Sequence, residues 1–305
     1  MSGAMRIVRA LAALAAVLAL AGCSGAVRIA YNNGDLALRF VADDYLDLHG
    51  EQQDVLKGQL ARFHVWHRRQ ELPQYASLFS GAAGRVEKGL TRADVEWAFV
   101  AVRARFRTLV EQAADEAAPL VATLGPDNFR ALEKKLAASN EKFAKEFLGG
   151  DAAKQARARA KRLAGMFEDW LGDLTAEQEA LIGRFVLEQP QLNRIRLEDR
   201  KRRQAEFVAL LRAHQHSPDL AARLRDFFVN WERDRGAEHR RLAREWEDRL
   251  VTLIVAIDES LTPRQRRHFV QRLDAFAEDA RVLAQQGRPA GMTAGVPEGA
   301  TVAAQ

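Results

Sequence analysis

Two histidines three residues apart, His64 and His67, have the clearest spacing for chemistry in this sequence. Positions three apart lie on one face of a helix, so the two imidazole rings could share a metal ion. No cysteine stands near them to complete a set of ligands. The sequence favours the alternative, a partly exposed pair beside Trp66. We therefore predict no bound metal and no cofactor.

The motifs of common enzyme classes do not occur in the sequence. It has no Glu-x-x-His of di-iron four-helix proteins, no G-x-S-x-G turn, and no Walker or dinucleotide glycine loop. The single cysteine also excludes a disulfide scaffold and a thiolate metal cluster, because both need several sulfur atoms. We predict that the protein is not an enzyme.

Cys23 is the only cysteine, and it follows an apolar stretch at residues 10–20. That stretch has about half the roughly 20 residues that a membrane-spanning helix needs. Residues 20–23, Leu-Ala-Gly-Cys, resemble the lipobox of bacterial lipoproteins. The resemblance implies cleavage between Gly22 and Cys23, acylation of Cys23, and an outer-membrane location facing the periplasm, because Ser24 follows where aspartate retains such proteins at the inner membrane. The alternative is an ordinary secretory signal.

Nearly all of the sequence between residues 35 and 286 has the spacing of amphipathic helices. Apolar residues recur every three or four positions, and every proline can stand at or just before a helix start. We predict an all-α fold, an elongated bundle of about ten helices with one long C-terminal helical hairpin. The predicted helices are 35–48, 50–71, 73–88, 91–117, 126–148, 151–171, 175–188, 190–214, 218–259 and 262–286.

The chain divides into five predicted segments. Residues 1–22 are the signal peptide, and residues 23–34 are the lipidated cysteine and a flexible tether. Residues 35–172 and 173–286 are an N-terminal and a C-terminal helical half. Residues 287–305, rich in glycine and proline, are a disordered tail.

The sequence Leu-Thr-x-x-Gln occurs twice, at residues 174–178 and 261–265. In such a helix start, the threonine hydroxyl accepts from the N–H three residues on, while the glutamine side chain accepts from the threonine N–H. We predict capping boxes formed by Leu174, Thr175, Gln178, Leu261, Thr262 and Gln265. Looser versions begin at Leu48, Leu90 and Leu124, and those at Leu48 and Leu124 lack the threonine.

Residues 174–283 resemble the Spy and CpxP family of periplasmic stress proteins, through the paired motifs and the basic segment at 194–203. Members of that family form helical hairpins that dimerise into a curved cradle and hold unfolded clients without ATP. The resemblance implies a client-binding face here, made by Arg196, Arg200, Arg202, Arg203 and Phe207. Residues 48–147 would then be an altered first copy, giving two Spy-like halves.

Several short strings are also similar to an uncharacterised family of proteobacterial outer-membrane lipoproteins. They lie at residues 23–25, 31–33, 44–48 and 66–68. This second resemblance covers more of the chain but implies no activity.

The composition agrees with a binding function for a folded protein. Hydrophobic residues make up 48% and charged residues 29% of 305 residues, with a formal net charge of +5. No nucleic-acid recognition motif occurs. We expect an ATP-independent chaperone or envelope-stress protein that binds membrane lipid through Cys23 and unfolded proteins through its helices, with oligomer formation left open. Two alternatives also stay open: a structural adaptor that holds one envelope partner, and a metal-responsive protein that uses His64 and His67.

Overall fold

The computed structural model describes residues 24–188 and 192–286. The predicted signal peptide, Cys23 with its cleavage position after Gly22, and the predicted tail at 287–305 lie outside the described residues. The described chain contains helices and no strand, which confirms the all-α prediction. The helices are α1 (Ser24–Asn32), α2 (Gly34–Leu46), α3 (Glu51–Trp66), a π-helical turn (His67–Glu71), α4 (Leu72–Lys88), α5 (Arg92–Val121), α6 (Pro126–Phe147), α7 (Ala152–Leu171), α8 (Ala176–Glu188), α9 (Asn193–His214), α10 (Leu220–Val229), α11 (Ala237–Glu259) and α12 (Pro263–Gln286).

The first helix corrects the prediction of a flexible tether after Cys23. α1 packs against α12, and its Val27 is buried. A helix this short is marginal by itself, so its contact with a helix distant in the sequence is what stabilises it. The turn expected around Asn33 is present, but it only separates α1 from α2.

The apolar spacing predicts one long helix over 218–259, and the structure divides it into two. α10 ends at Val229 and α11 begins at Ala237. Ion pairs hold the connecting turn, with Arg233 at 2.8 Å from Asp226 and Arg235 at 2.9 Å from Glu232. The charged stretch that interrupts the apolar spacing is therefore a turn between two helices.

Pro119 lies within a helix, where the sequence did not predict it, whereas Pro73 lies in the first turn of α4, as predicted. Pro119 is inside α5, in its last turn, where its missing N–H removes only one hydrogen bond. Pro73 follows the π-helical turn, in which Leu72 N–H binds the His67 carbonyl. The predicted helices 50–71 and 73–88 therefore form one continuous helical path.

α12 does not form the predicted hairpin with α11. Its main partner is α4, where Phe79 and Phe276 stack with ring centroids 5.4 Å apart. At the other end of the same contact, Leu72 packs with Leu283. α11 instead contacts α8 and α5. The prediction is wrong because α4, from the first half of the sequence, covers the apolar face of α12.

Each of four hydrophobic clusters contains residues from both sides of the predicted boundary at 172 and 173. The largest packs Leu48 and Phe129 against Leu211 and Leu224. The others join Leu171 to Ile182, Leu72 to Leu283, and Val86 to Leu273. The two halves of the sequence therefore share their cores.

The described surface includes apolar side chains on the first two helices. Ile29, Leu36 and Phe40 are 66%, 54% and 52% exposed. Among the helices of the described residues, none has both the length and the apolar character that crossing a membrane requires.

Candidate functional site

Two glutamines of the repeated motif bind each other inside the protein. Gln178 Nε2 donates to Gln265 Oε1 at 3.1 Å, and Gln265 Nε2 donates to Gln178 Oε1 at 2.9 Å. Gln178 also donates to the Ser260 carbonyl at 3.3 Å, and Gln265 donates to the Asp173 carbonyl at 2.9 Å. Both glutamines are buried. We call this pair the second-half brace, because it joins two helix starts 87 residues apart.

The threonines of the same motif make the reciprocal capping bonds. Thr175 N–H donates to Gln178 Oε1 at 3.0 Å, and Thr175 Oγ1 accepts from Gln178 N–H at 3.3 Å. Thr262 and Gln265 repeat the pattern at 3.1 and 3.2 Å. Leu174 and Leu261 pack against the hydrophobic cluster around Ile182. These six motif residues have a structural role at the starts of α8 and α12.

The first half contains an equivalent pair, Gln52 and Asn128, which we call the first-half brace. Gln52 Nε2 donates to Asn128 Oδ1 at 3.0 Å, and Asn128 Nδ2 donates to Gln52 Oε1 at 3.3 Å. The two amides also reach the Thr123 and Asp47 carbonyls, at 2.8 and 3.0 Å. Each side-chain oxygen accepts from the backbone N–H three residues earlier, at 3.2 and 2.7 Å. The looser motifs therefore keep the amide pairing, 76 residues apart, without threonine.

Two of the predicted client-binding residues are hydrogen-bonded within the fold. Arg200 donates to Asn140 Oδ1 at 2.9 Å and to Ser139 Oγ at 2.8 Å, which ties α9 to α6. Arg202 forms ion pairs with Asp199 and Glu206, both at 2.7 Å. These contacts fix the position of α9 and the direction of its basic face.

The other two predicted arginines lie over aromatic rings between α9, α10 and α11. Arg196 is 5.5 Å from the centroid of Trp246, and Arg203 is 4.9 Å from that of Trp231. Arg235, from the turn before α11, lies 3.9 Å from the same Trp231 ring. A guanidinium over an aromatic ring gains about 0.5–2 kcal/mol. The rings therefore hold three positive charges along one groove.

This groove, which we call the arginine groove, has a volume of about 580 Å³. Its charged lining has four arginines and three carboxylates, which are Arg196, Arg200, Arg203, Arg235, Asp199, Glu232 and Glu247. Its apolar lining includes Leu192, Phe207, Phe227, Phe228, Trp231 and Trp246. The predicted residue Phe207 packs 5.5 Å from Phe227 and Phe228. The groove combines excess positive charge with an aromatic wall.

Asp199 is the carboxylate shared by Arg235 and His239 in the groove and by Arg202, the predicted client-binding arginine that does not line the groove. It lies 2.7 Å from Arg202, 3.6 Å from Arg235 Nε and 3.9 Å from His239 Nδ1. The Arg235 side chain is only 10% exposed, and its Nε has no hydrogen-bond partner. Desolvation, followed by the charge of Arg235, lowers the pKa of Arg196 and of His239. A further anionic group would therefore relieve the repulsion between these positive charges.

The two histidines with metal-like spacing surround a tyrosine instead. Tyr31 Oη is hydrogen-bonded to His67 Nδ1 at 2.9 Å, and the Tyr31 and His64 rings are 4.8 Å apart. Burial, then the neighbouring His64 and Arg68, lower the pKa of His67 to about 4. No group of three His, Cys, Asp or Glu that could hold a metal occurs in the described part of the chain. The geometry gives the metal hypothesis no third ligand there.

His67 borders a second groove, which we call the apolar groove. It has a volume of about 560 Å³ and lies between α1, α4, α7 and α12. Its apolar lining includes Val27, Tyr31, Leu72, Trp170, Phe276 and Leu283. At one side Asp279 is paired with Arg28 at 2.7 Å. The groove has the size and character of pockets that enclose small apolar ligands.

Sequence reasoning missed Arg235, His239 and the whole apolar groove. Arg235 and His239 lie far along the chain from the basic segment, and the interrupted apolar spacing around Gly236 was the only signal for them. The lining of the apolar groove uses the residue types of an ordinary core. Only the packing of four helices distinguishes that groove from a filled interior.

The comparisons with known proteins give one match. Residues 44–240, more than half of the chain, match a family described as "Family of unknown function (DUF6279)". No curated protein and no solved structure matches the chain.

Proposed function

We propose, for a chain that belongs to the DUF6279 family of unknown function, that the arginine groove binds acidic, apolar segments of other polypeptides. In this proposal the protein is a non-enzymatic outer-membrane lipoprotein, anchored through acylated Cys23 and facing the periplasm. Its clients are unfolded proteins, which it holds without ATP. The observation that carries the proposal is the excess of guanidinium groups against an aromatic wall.

A carboxylate fits the groove because one of its guanidinium groups, that of Arg203, has aromatic contacts but no carboxylate partner among the described residues. Arg203 has its cation–π contact with Trp231 and, among the described residues, no ion pair, whereas the neighbouring Arg235 is already paired with Glu232 and lies 3.6 Å from Asp199. A charge-assisted hydrogen bond from such a group contributes about 1.5–3 kcal/mol. An apolar side chain next to the carboxylate would pack on Phe227, at roughly 25 cal/mol for each Å² removed from water. Acidic and aromatic residues close together in a client meet both requirements.

The expected affinity is modest and depends on salt. Association costs about 4–15 kcal/mol in lost freedom, which offsets most of the gain from one or two charged contacts. Exposed charges are screened over about 8 Å at physiological ionic strength. Weak, broad and salt-sensitive binding is what an ATP-independent chaperone needs to release its clients.

The experiment compares two arginines of α9 that differ in their contact with the groove. Arg203 lines the groove, whereas Arg194 is exposed on the same helix and does not line it. Binding of a fluorescent peptide that alternates Glu and Phe is measured by anisotropy. We expect Arg203→Gln to weaken binding about tenfold or more, since that corresponds to the loss of about 1.4 kcal/mol, and Arg194→Gln to stay within about twofold.

The same variants then enter an aggregation assay with a denatured client protein. Wild type and Arg194→Gln should suppress aggregation, and Arg203→Gln should suppress it less. Equal binding and equal protection by both variants would remove the arginine groove from the function. Circular dichroism of each variant verifies that the helices are intact.

The structural adaptor is a second candidate, favoured by one observation. Arg200 is tied to Asn140 and Ser139, and Arg202 to Asp199, so the basic side of the groove has a fixed shape. A fixed groove suits one partner better than many. Crosslinking in cells distinguishes the two, because an adaptor gives one stoichiometric partner and a chaperone gives a broad mixture.

A further inference from the structure

We propose that the apolar groove holds one acyl chain of the lipid carried by Cys23. This inference rests on the lipidation of Cys23 in the proposed function. The apolar groove would then be a second binding site of the protein. Its ligand is a long-chain acyl group, and that group is supplied by the lipid on the protein's own Cys23.

The first described helix, α1, forms part of the groove lining. Val27, Ala30 and Tyr31, at spacings of three and four residues, place one face of α1 in the groove lining. Cys23 precedes Val27 by four residues, which span at most about 14 Å even when fully extended. An acyl chain in one leaflet extends over half of the roughly 30 Å hydrocarbon core, about 15 Å. An acyl chain on the Cys23 sulfur can therefore reach the groove.

The chemistry of the lining favours a ligand without polar groups inside the groove. Trp170 and Phe276 form one wall, with ring centroids 5.4 Å apart, and Leu72 and Leu283, which pack together in the α4–α12 contact, also line the groove. Among the polar groups of the lining, Tyr31 binds His67 and Asp279 binds Arg28, while the Arg272 guanidinium lies over the rings of Trp170 and Phe276 and Asp169 is exposed. A saturated acyl chain can pack on these aromatic and aliphatic side chains without needing a polar partner.

The groove volume is also appropriate for one chain. About 560 Å³ falls within the range of roughly 300–1,000 Å³ that encloses drug-sized ligands. By the chemistry of the lipoprotein family, the cysteine carries acyl groups on both its sulfur and its amine. One chain in the groove therefore leaves the others for the membrane.

Sheltering an acyl chain has a physical reason. Moving the chain from a bilayer into the groove exchanges one apolar environment for another, whereas exposing it to water is strongly unfavourable. The groove therefore stabilises the lipidated protein whenever it is away from the membrane, and it competes with the bilayer for one chain.

The experiment uses two forms of the mature protein, both starting at residue 23. One carries the lipid on Cys23, and the other carries Cys23→Ser behind an ordinary export signal. Every described helix begins after residue 23, so both forms keep the described contacts. The probe is a fluorescent long-chain fatty acid, titrated into each form in the same dilute detergent. We expect the Cys23→Ser form to bind one probe per chain, and the lipidated form to bind at least tenfold more weakly.

Three substitutions in the Cys23→Ser form locate the probe. Ala30→Trp fills the groove, and Met166→Glu adds a charge at its rim, where the side chain is 64% exposed and the fold does not depend on it. Ala37→Trp, at an exposed position of α2 outside the groove lining, is the matched control. We expect the first two to weaken probe binding at least tenfold and the control to leave it unchanged.

The outcomes separate this inference from the proposed function. If the Cys23→Ser form does not bind the probe, the proposal of an acyl site in the apolar groove is wrong. It is also wrong if Ala30→Trp and Met166→Glu leave probe binding unchanged. Equal binding by the lipidated and the Cys23→Ser forms overturns Cys23 as the source and makes free lipid the ligand. Mass spectrometry that finds an unmodified Cys23 removes the anchor of the proposed function and this source of the chain, and the peptide-binding test of the arginine groove is unaffected.

Discussion

Removing one amide of the second-half brace should destabilise the protein strongly. Gln178→Met keeps most of the side-chain volume, but it leaves the Thr175 N–H, the Ser260 carbonyl and the Gln265 amide each short of a partner. An unsatisfied buried polar group costs about 1–3 kcal/mol. Three such groups, some of them reachable by water, predict a loss of about 3–5 kcal/mol from a total unfolding free energy of roughly 5–15 kcal/mol.

The double variant tests whether the two amides act as a pair. Gln178→Met with Gln265→Met removes both amides, so neither side chain is left with an unsatisfied hydrogen-bonding group. Replacing both partners of a hydrogen bond by apolar groups costs less than removing one. We expect the double variant to be about 1–3 kcal/mol more stable than the sum of the single losses. Gln271→Met, at an exposed position of the same α12, should change stability by less than about 0.5 kcal/mol.

Urea unfolding followed by far-ultraviolet circular dichroism measures these free energies. The slope with denaturant should stay constant across the series, so that midpoint shifts report stability alone. Strict additivity of the two single losses, or a Gln178→Met variant as stable as wild type, would refute the reasoning about the brace.

Two further predictions concern buried ionisable groups. Asp258 accepts from Leu90 N–H at 2.8 Å and from Arg266 Nη1 at 3.0 Å, so Asp258→Ala should cost about 2–4 kcal/mol in thermal unfolding, whereas the exposed Asp248→Ala on the same helix should cost far less. The folded-state pKa of His67, about 4, is below the unfolded value of about 6.5, so the unfolded chain binds the extra proton between these pH values. Stability contributed by neutral His67 is therefore complete above pH 6.5 and falls by about 3 kcal/mol as the pH drops to 4. The difference in unfolding free energy between wild type and His67→Phe should shrink over this window, and parallel pH profiles would contradict the assignment.

The features that could be predicted from the sequence are the local ones. A capping box is closed by groups three residues apart, so Thr175 with Gln178 and Thr262 with Gln265 could be identified from spacing alone. The helical class follows from apolar periodicity in the same way. The pairing of Gln178 with Gln265 could not be predicted, because nothing local requires two helix starts 87 residues apart to meet.

The errors arose where distant contacts decided the structure. α1 is too short to be stable without α12, so its sequence alone indicated a tether. The apolar face of α12 packs mainly on α4, which is distant in the sequence, and sequence proximity wrongly favoured α11. Arg235 joined the arginine groove only because the turn before α11 brings it back onto Trp231. In each case the deciding partner lies in another element.

The two braces give the strongest reason to regard the halves as related. In each brace the two amide side chains bind each other across 76 or 87 residues. In each brace an amide also donates to a backbone carbonyl just before the other helix start, which is Thr123 for Gln52 and Asp173 for Gln265. A chance solution to helix capping would not repeat this cross-connection, since capping needs no second motif. The halves are nevertheless packed together, because α4 of the first half covers α12 of the second. The apolar groove lies at that contact, and its lining comes from both halves. A groove that is lined by both halves exists only where they pack together, which explains why the sequence of either half alone does not indicate it.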